Sequence, residues 1–168
     1  MFEGGRGHDV DGIQIKPNSS HIWIDCCSLS DYDNGLIDIT RGSTDITISR
    51  CHFANHDKTM LFGADPSHTG DRCIRITIHH CFFDGTRQRH PHVRSGKVRL
   101  NNNYTRHWGI YAVCASVESY SPQFNIYKQY WTDNKFFILP SYTCILHKNC
   151  EAQLLPSHVT LFTCLCSF

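Results

Sequence analysis

Four β-rich segments recur along the chain and constrain its fold more than any other feature. Each begins with alternating apolar and polar residues and runs into a polar turn, a pattern typical of strands and not of helices. The segments are 22–29, 46–53, 76–83 and 98–105, and their starts are 24, 30 and 22 residues apart. A repeat of this size predicts a solenoid.

The repeat also predicts which positions stack on one another. In register, the segments align Cys27, Cys51, Cys81 and Asn103 in one column, as expected of an interior ladder. Further strands are predicted at 35–40, 59–62 and 110–113, which gives about three strands per coil. The predicted fold is therefore all-β, a right-handed parallel β-helix. A β-sandwich is the structural alternative, but an Asn-Gly hairpin turn occurs only at Asn34-Gly35.

The length and patterning predict one domain with a tail. The chain has 168 residues, of which 40% are hydrophobic, enough for one sizeable core. The alternation is lost after about residue 127, so we expect a β-helical domain over 1–127 and a divergent tail, a candidate for disorder, over 128–168. The formal charge of +1 favours neither nucleic acid nor an anionic membrane as partner. No apolar run suggests a signal peptide or a membrane span.

The ten cysteines suit an oxidising compartment but do not define a metal site. They lack the short paired spacings of zinc ligands, so zinc is not expected. Their connectivity cannot be read from sequence, and a thiol at a core position behaves as a small hydrophobe.

Two groups of charged residues suggest a binding site for an acidic polymer. Arg89 and Arg94 flank Pro91 in a six-residue segment, and a guanidinium group can bind a carboxylate through two parallel hydrogen bonds. Asp9 and Asp11 are two residues apart and would project to one side of a strand, with Asp38 one coil onward. Such hard oxygen ligands suit calcium.

Residues 3–127 resemble the pectate lyases of plants in an ordered set of motifs. These are Trp23-Ile24-Asp25 with Cys27-Ser28-Leu29-Ser30, then Gly35-Leu36-Ile37-Asp38, Gly42-Ser43-Thr44, Ile46-Thr47-Ile48-Ser49, His56-Asp57-Lys58-Thr59-Met60-Leu61, and the R-x-P-x-x-R pattern from Arg89 to Arg94. The resemblance implies calcium-dependent β-elimination of de-esterified pectin on the flank of a parallel β-helix. It departs at Cys26, where the family has histidine.

The resemblance also implies the ligands of Ca²⁺. They would be Asp9, Asp11 and Asp38, with Asn34 at a position where the family has a carboxylate. An amide oxygen can bind calcium but carries no charge, so weaker affinity is expected unless Asp33 takes over.

The same resemblance assigns the residues that act on substrate. Arg89 would be the catalytic base, and Lys58 and Arg94 would bind substrate carboxylates and stabilise developing negative charge. Free arginine is protonated at every ordinary pH, so this role requires burial and neighbouring cations that favour neutral guanidine. His90 and His92 receive no role.

Three other functions remain open from the sequence. The first is a truncated, inactive relative that binds acidic polysaccharide without cleaving it. The second is a structural or adhesive β-helix without a small ligand. The third is a polygalacturonate hydrolase, for which the Asp9 and Asp11 pair could supply acid and base, although the arginines argue against it. The pectate lyase hypothesis implies that the protein binds polygalacturonate, is a monomer and is located outside the cell or in the cell wall.

Overall fold

The computed structural model describes residues 7–114 and the backbone of 2–3, 115, 123–127, 129–131, 150–155 and 159–164. Within this part the chain winds through three sheets in a repeating order, which confirms the predicted parallel β-helix. The described residues contain no helix long and apolar enough to cross a membrane.

Each coil contributes one strand to each sheet in turn. Sheet I contains β2 (Ile13–Ile15), β5 (Gly35–Ile39), β8 (Lys58–Phe62), β11 (His92–Val93) and β14 (Cys114–Ala115). Sheet II contains β3 (Ser20–Asp25), β6 (Thr44–Ser49), β9 (Arg75–His79), β12 (Lys97–Asn101) and β15 (Gln123–Tyr127). Sheet III contains β1 (Phe2–Glu3), β4 (Ser28–Ser30), β7 (His52–Ala54), β10 (Phe82–Asp84), β13 (Tyr104–Arg106), β16 (Gln129–Trp131), β18 (Val159–Cys164) and β17 (Cys150–Leu155).

All strand pairs are parallel except at one end of sheet III. There β18 pairs antiparallel with both β16 and β17, whereas β16 still continues the parallel stack on β13. Most of the predicted tail, 128–168, lies outside the described residues, so the predicted domain boundary stays a prediction.

The core is a stack of apolar rows, because alternation along each strand turns every second side chain inward. Sheet II contributes Ile24, Ile48, Ile78 and Leu100, one from each coil and all buried. In sheet III the rings of Phe53 and Phe83 stack with centroids 5.1 Å apart.

The predicted register is confirmed, but each eight-residue segment holds two strands and not one. The chain turns a corner between sheets II and III. Four residues in one column at this corner have φ between 50° and 56°, a left-handed conformation that bends the chain. They are Cys26, Arg50, His80 and Asn102.

The next column is the predicted ladder from Cys27 to Asn103, as the pairing on either side requires. Cys51 and Cys81 within it are buried and, like Cys26, Cys27 and Cys73, form no disulfide among the described residues.

One strand prediction in sheet I is wrong, and one strand of this sheet was not predicted. Residues 110–113 form no strand, and β14 begins at Cys114 instead. Strand β11 was not predicted, because it is only two residues long and too short to show alternation.

Candidate active site

The outer face of sheet I carries most of the predicted site residues. Ile37 and Ile39 are buried, so Asp38 between them points outward. Asp38 is in register with Leu61, and Leu61 with His92. Asp11 and Asn34 precede β2 and β5, which places them near the same edge of the sheet.

Asp11 is held close to the backbone of the next coil. Its Oδ1 accepts a hydrogen bond of 2.8 Å from the Gly35 backbone N–H. A Cβ on Gly35 would lie 2.9 Å from that oxygen, so a larger residue at position 35 would require the Asp11 carboxylate to move. Burial raises the pKa of Asp11, and the charge of Asp9 adds to the rise. Asp9 itself is exposed, with its carboxylate 3.1 Å from His8 Nδ1.

Asp38 is the most perturbed carboxylate on this face. Its Oδ1 is buried and has no hydrogen-bond partner among the described residues. Burial raises its pKa to about 6, and the charge of Asp11 contributes, while Arg89 and Arg94 act in the opposite direction. A buried carboxylate without a partner is a group that a cation would stabilise.

Asn34 and Lys58 lie beside the carboxylates. Lys58 Nζ is 3.5 Å from Asn34 Oδ1, and a hydrogen bond from Asn34 lowers the pKa of Asp11. The backbone carbonyl of Asn34 is 2.9 Å from His56 Nε2. Asp33, the alternative ligand, accepts a hydrogen bond from the Gly7 backbone N–H. These contacts place Asn34 next to Asp11.

The predicted metal residues offer hard oxygen donors on neighbouring coils. Within residues 7–115 no group of three or more His, Cys, Asp or Glu side chains lies close enough to hold a metal ion. The buried, unpartnered oxygen of Asp38 and the like-charge coupling among Asp9, Asp11 and Asp38 nevertheless fit a divalent cation.

Arg89 lies in a bulge of sheet I. Lys58 pairs with Gln88 and Leu61 with His92, so two residues of β8 face three residues of the next coil. Arg89 has a φ of 68°, and its Nε is buried without a hydrogen-bond partner among the described residues. The bulge redirects the chain just before β11.

Arg94 follows β11 and reaches the preceding coil. Its guanidinium group donates a hydrogen bond to the Ala64 carbonyl oxygen, and its backbone N–H donates to the Phe62 carbonyl at 2.9 Å. Arg89 and Arg94 thus lie on either side of β11, and their charges reach Asp38 across the intervening strand β8.

No role for His92 was predicted from the sequence, but the structure places it between the two arginines. His92 is buried, its Nδ1 is 3.2 Å from the Tyr111 hydroxyl, and the two rings meet edge to face. Burial, followed by the charges of Arg89 and Arg94, lowers the pKa of His92 to about 4. His92 is therefore neutral near pH 7. Its position inside the arginine motif was the available signal, whereas nothing in the sequence pointed to Tyr111.

Asp71 is a second residue that the sequence did not single out. It belongs to the 3-10 turn Thr69–Cys73 and is completely buried. Its Oδ1 accepts a hydrogen bond of 2.8 Å from the Gly42 backbone N–H, and its Oδ2 has no partner within the described region. The charge of Asp71 also raises the pKa of Asp38.

A groove of about 570 Å³ extends the site from Lys58 toward the corner with sheet III. Its lining includes Tyr32, Asn34, His56 and Arg87. Arg87 is paired with Asp57 at 3.2 Å. The face therefore combines carboxylates, cations and an open groove.

Solved structures define the class of protein to which this fold and site belong, the β-helical pectate lyases. The structure of the major allergen from cedar pollen superimposes with a TM-score of 0.63 at 40% sequence identity, over 71% of this chain and 33% of that one. A thermostable pectate lyase superimposes with a TM-score of 0.59 at 28% identity, over 73% of this chain and 41% of that one.

Sequence comparisons identify the family. The family model described as pectate lyase matches residues 1–130, so the chain belongs to the pectate lyase family. It is 45% identical over 115 residues to the probable pectate lyase 9 of Arabidopsis thaliana, covering 67% of this chain and 25% of that protein. It is 48% identical over 116 residues to the probable pectate lyase P56 of Solanum lycopersicum, covering 67% of this chain and 29% of that protein. The chain thus spans between a quarter and a third of these two relatives.

Proposed function

We propose that this chain carries the cleavage site of a pectate lyase, which breaks (1→4)-α-D-galacturonan, the backbone of de-esterified pectin, by calcium-dependent β-elimination. The observation that carries the proposal is that Arg89 and Arg94 lie near enough to Asp38 for both cations to lower the pKa of that half-buried carboxylate. Arginine side chains bind carboxylates through paired hydrogen bonds, so they suit a substrate that carries its own negative charge.

In this proposal Lys58 and Arg94 hold the uronate carboxylates of the polymer. Lys58 opens onto the groove beside Asn34, and Arg94 is oriented by its hydrogen bond to Ala64. His92 separates the two arginines as a neutral ring, so it adds no third positive charge between them. The cations would also stabilise the negative charge that develops on the uronate during elimination.

Arg89 takes the proton from C5 of the uronate. The C5–H bond breaks, a C4–C5 double bond forms, and the bond from C4 to the glycosidic oxygen breaks, after which that oxygen takes up a proton. The Nε of Arg89 is buried and has no hydrogen-bond partner among the described residues, so this nitrogen is not engaged by a protein carboxylate.

The proposed calcium ligands are Asp9, Asp11, Asn34 and Asp38. When bound, calcium supplies positive charge that would make the C5 proton of the uronate more acidic. Asp38 must lose its proton to serve as a ligand.

The family also suggests the setting of the reaction. We propose a monomer that acts outside the cell or in the cell wall on polygalacturonate, with neither nucleic acid nor membrane as partner. The near-neutral charge supports the absence of a general affinity for nucleic acid or anionic lipid.

A direct test follows ultraviolet absorbance during incubation with polygalacturonate, with calcium and with a chelator. Elimination produces a conjugated unsaturated product, whereas hydrolysis does not. We expect absorbance to rise only with calcium. Full activity in chelator would rule out the calcium-dependent mechanism, and binding without any rise would favour an inactive relative.

A further inference from the structure

Trp23, on the outer face of sheet II, is the one large apolar side chain that is exposed among the described residues, with 66% of its surface accessible. The ring is nevertheless fixed in place. Its indole N–H donates a hydrogen bond of 2.8 Å to Ser49 Oγ, and the Arg50 guanidinium lies 6.0 Å from the ring centre. Arg50 is in turn held by Asp25, with an Nε–Oδ1 distance of 2.9 Å.

This ring begins an ordered row along the solenoid. Trp23, Thr47, Thr77 and Arg99 are in register on successive coils. These side chains point outward because the residues before and after them in each strand, such as Ile46 and Ile48 around Thr47, are buried in the core. Adjacent strands are about 4.8 Å apart, so the row spans about 14 Å.

A groove of about 450 Å³ follows this row. Thr47, Thr77 and Arg99 line it, together with a second row formed by Asp45, Arg75 and Lys97. Trp23 adjoins the groove through its register with Thr47.

The charge of the groove is concentrated at the end opposite Trp23. Arg75 is neutralised by Asp45 through two hydrogen bonds of 2.7 and 2.6 Å. Within the described residues no carboxylate forms an ion pair with Lys97 or Arg99. Along this face an exposed indole ring is therefore followed by threonine hydroxyl groups and then by two cationic side chains.

We infer that this face of sheet II is a second binding surface for an acidic polysaccharide, separate from the site on sheet I. The apolar face of a sugar ring would pack on Trp23, sugar hydroxyls would bond to Thr47 and Thr77, and uronate carboxylates would bind Lys97 and Arg99. The choice of polygalacturonate as the polymer rests on the proposed function, whereas the surface itself rests on the geometry of sheet II. It would hold the polymer while the site on sheet I acts.

The test separates the two sites by electrophoresis of the full chain in gels containing polygalacturonate and a chelator. Lys58→Ala with Arg94→Ala disables binding on sheet I, so any remaining retardation reports on sheet II. We expect retardation to persist in this background and to weaken about fivefold to tenfold on adding Trp23→Ala. Trp23→Phe should retain most of it, because the aromatic face remains.

A second pair of variants examines the charged end. Arg99→Ser should weaken binding and reduce its dependence on salt, whereas Arg41→Ser, which removes an exposed cation outside the groove, should do neither. Circular dichroism would verify that each variant folds. Without Trp23, cleavage of the long polymer should slow while cleavage of short oligogalacturonates is unchanged.

The outcomes also distinguish this inference from the proposed function. If Lys58→Ala with Arg94→Ala abolishes all retardation, or if Trp23→Ala and Arg99→Ser leave it unchanged, sheet II is not a binding surface, and the proposed function stands. If retardation depends on Trp23 but no unsaturated product forms, the proposed function falls and the second surface stands.

Discussion

At the scale of single residues, Asp38 shows how the fold sets the chemistry of the site. The motif around Asp38 resembles that of many pectate lyases, but its chemical state depends on burial. Because its pKa is raised to about 6, the folded chain holds a proton on Asp38 over a pH range in which an unfolded aspartate is ionised.

The first prediction concerns pH. Calcium binding requires ionised Asp38, so affinity should fall about tenfold per pH unit below about pH 6. Without calcium, Asp38 should contribute a decrease in the free energy of unfolding as pH rises from about 4 to 6, since the folded state must release the proton that Asp38 favours. The buried His92, whose pKa is lowered to about 4, contributes in the opposite direction over the same range, so the effect of Asp38 is the difference between the unmodified chain and Asp38→Asn. Calorimetric titrations and urea melts over this range measure both effects. In Asp38→Asn the second effect should vanish, and an unchanged slope would assign it to another group.

The second prediction concerns Asn34. Asn34→Asp places a charged oxygen beside Asp11 and Lys58 and should tighten calcium binding about threefold to tenfold. Calorimetric titration measures the change. The matched control is Asp33→Asn, which should leave calcium affinity nearly unchanged because Asp33 is engaged by the Gly7 backbone. A loss of affinity in the control would instead make Asp33 a ligand.

The third prediction separates the two arginines. Arg89→Lys should lower kcat at least a hundredfold with little change in KM, because a proton acceptor acts only in the transition state. Arg94→Ala should mainly raise KM, since a carboxylate clamp acts on the ground and transition states alike. Steady-state kinetics in the ultraviolet assay tests both. Most of the rate surviving in Arg89→Lys would show that charge suffices and that Arg89 is not the base.

At the scale of elements, the corner between sheets II and III sets the register of the coils. Asn103 occupies the ladder position that cysteine fills in the three preceding coils. Its Oδ1 accepts a hydrogen bond of 2.9 Å from the Cys81 backbone N–H, and its Nδ2 donates one of 3.0 Å to the Ile78 carbonyl. One buried amide thus joins two coils where the left-handed column interrupts regular pairing.

The fourth prediction follows from these bonds. Asn103→Ala leaves a buried backbone donor and acceptor unpaired and should lower the free energy of unfolding by about 3 kcal/mol. Gln14→Ala, which changes an exposed side chain on β2, should cost less than about 0.5 kcal/mol. Urea denaturation compares the two. Equal effects would mean that water replaces the lost bonds at the corner.

At the scale of the whole molecule, the parallel stack couples the metal site to stability. The proposed ligands come from two successive coils, so a bound ion would link β2 to β5 in addition to their backbone bonds. In a solenoid each coil contacts chiefly its neighbours, and stability depends on those interfaces.

The fifth prediction is that calcium raises the midpoint of thermal unfolding. At a calcium concentration one hundred times the dissociation constant, the free energy of unfolding should increase by about 2.7 kcal/mol. Magnesium should give a smaller gain, because it demands stricter octahedral geometry and keeps more of its water. Scanning calorimetry with each ion, repeated on Asp38→Asn, measures the difference. An equal gain in Asp38→Asn would place the stabilising ion elsewhere.

Much of the architecture could be predicted because each coil of a solenoid repeats a similar pattern of residue types in the sequence. Stacked coils need equivalent residues at equivalent positions, so the spacing of the segments placed Ile22, Ile46, Ile76 and Val98 in one row, as the structure confirms. The strand prediction at 110–113 was wrong, and β11 was missed, because two-residue strands in irregular coils leave no alternation to detect.

The sequence by itself determined the fold class, the register of the coils and the family, because all three depend on residue types at regular or characteristic spacings. Only the tertiary structure decided the protonation of the site's carboxylate and the positions of its side chains. Burial and neighbouring charges raise the pKa of Asp38, the bulge before β11 positions Arg89, and Tyr111 reaches His92 from another coil. These properties depend on distances between residues far apart in the chain, which no local pattern encodes.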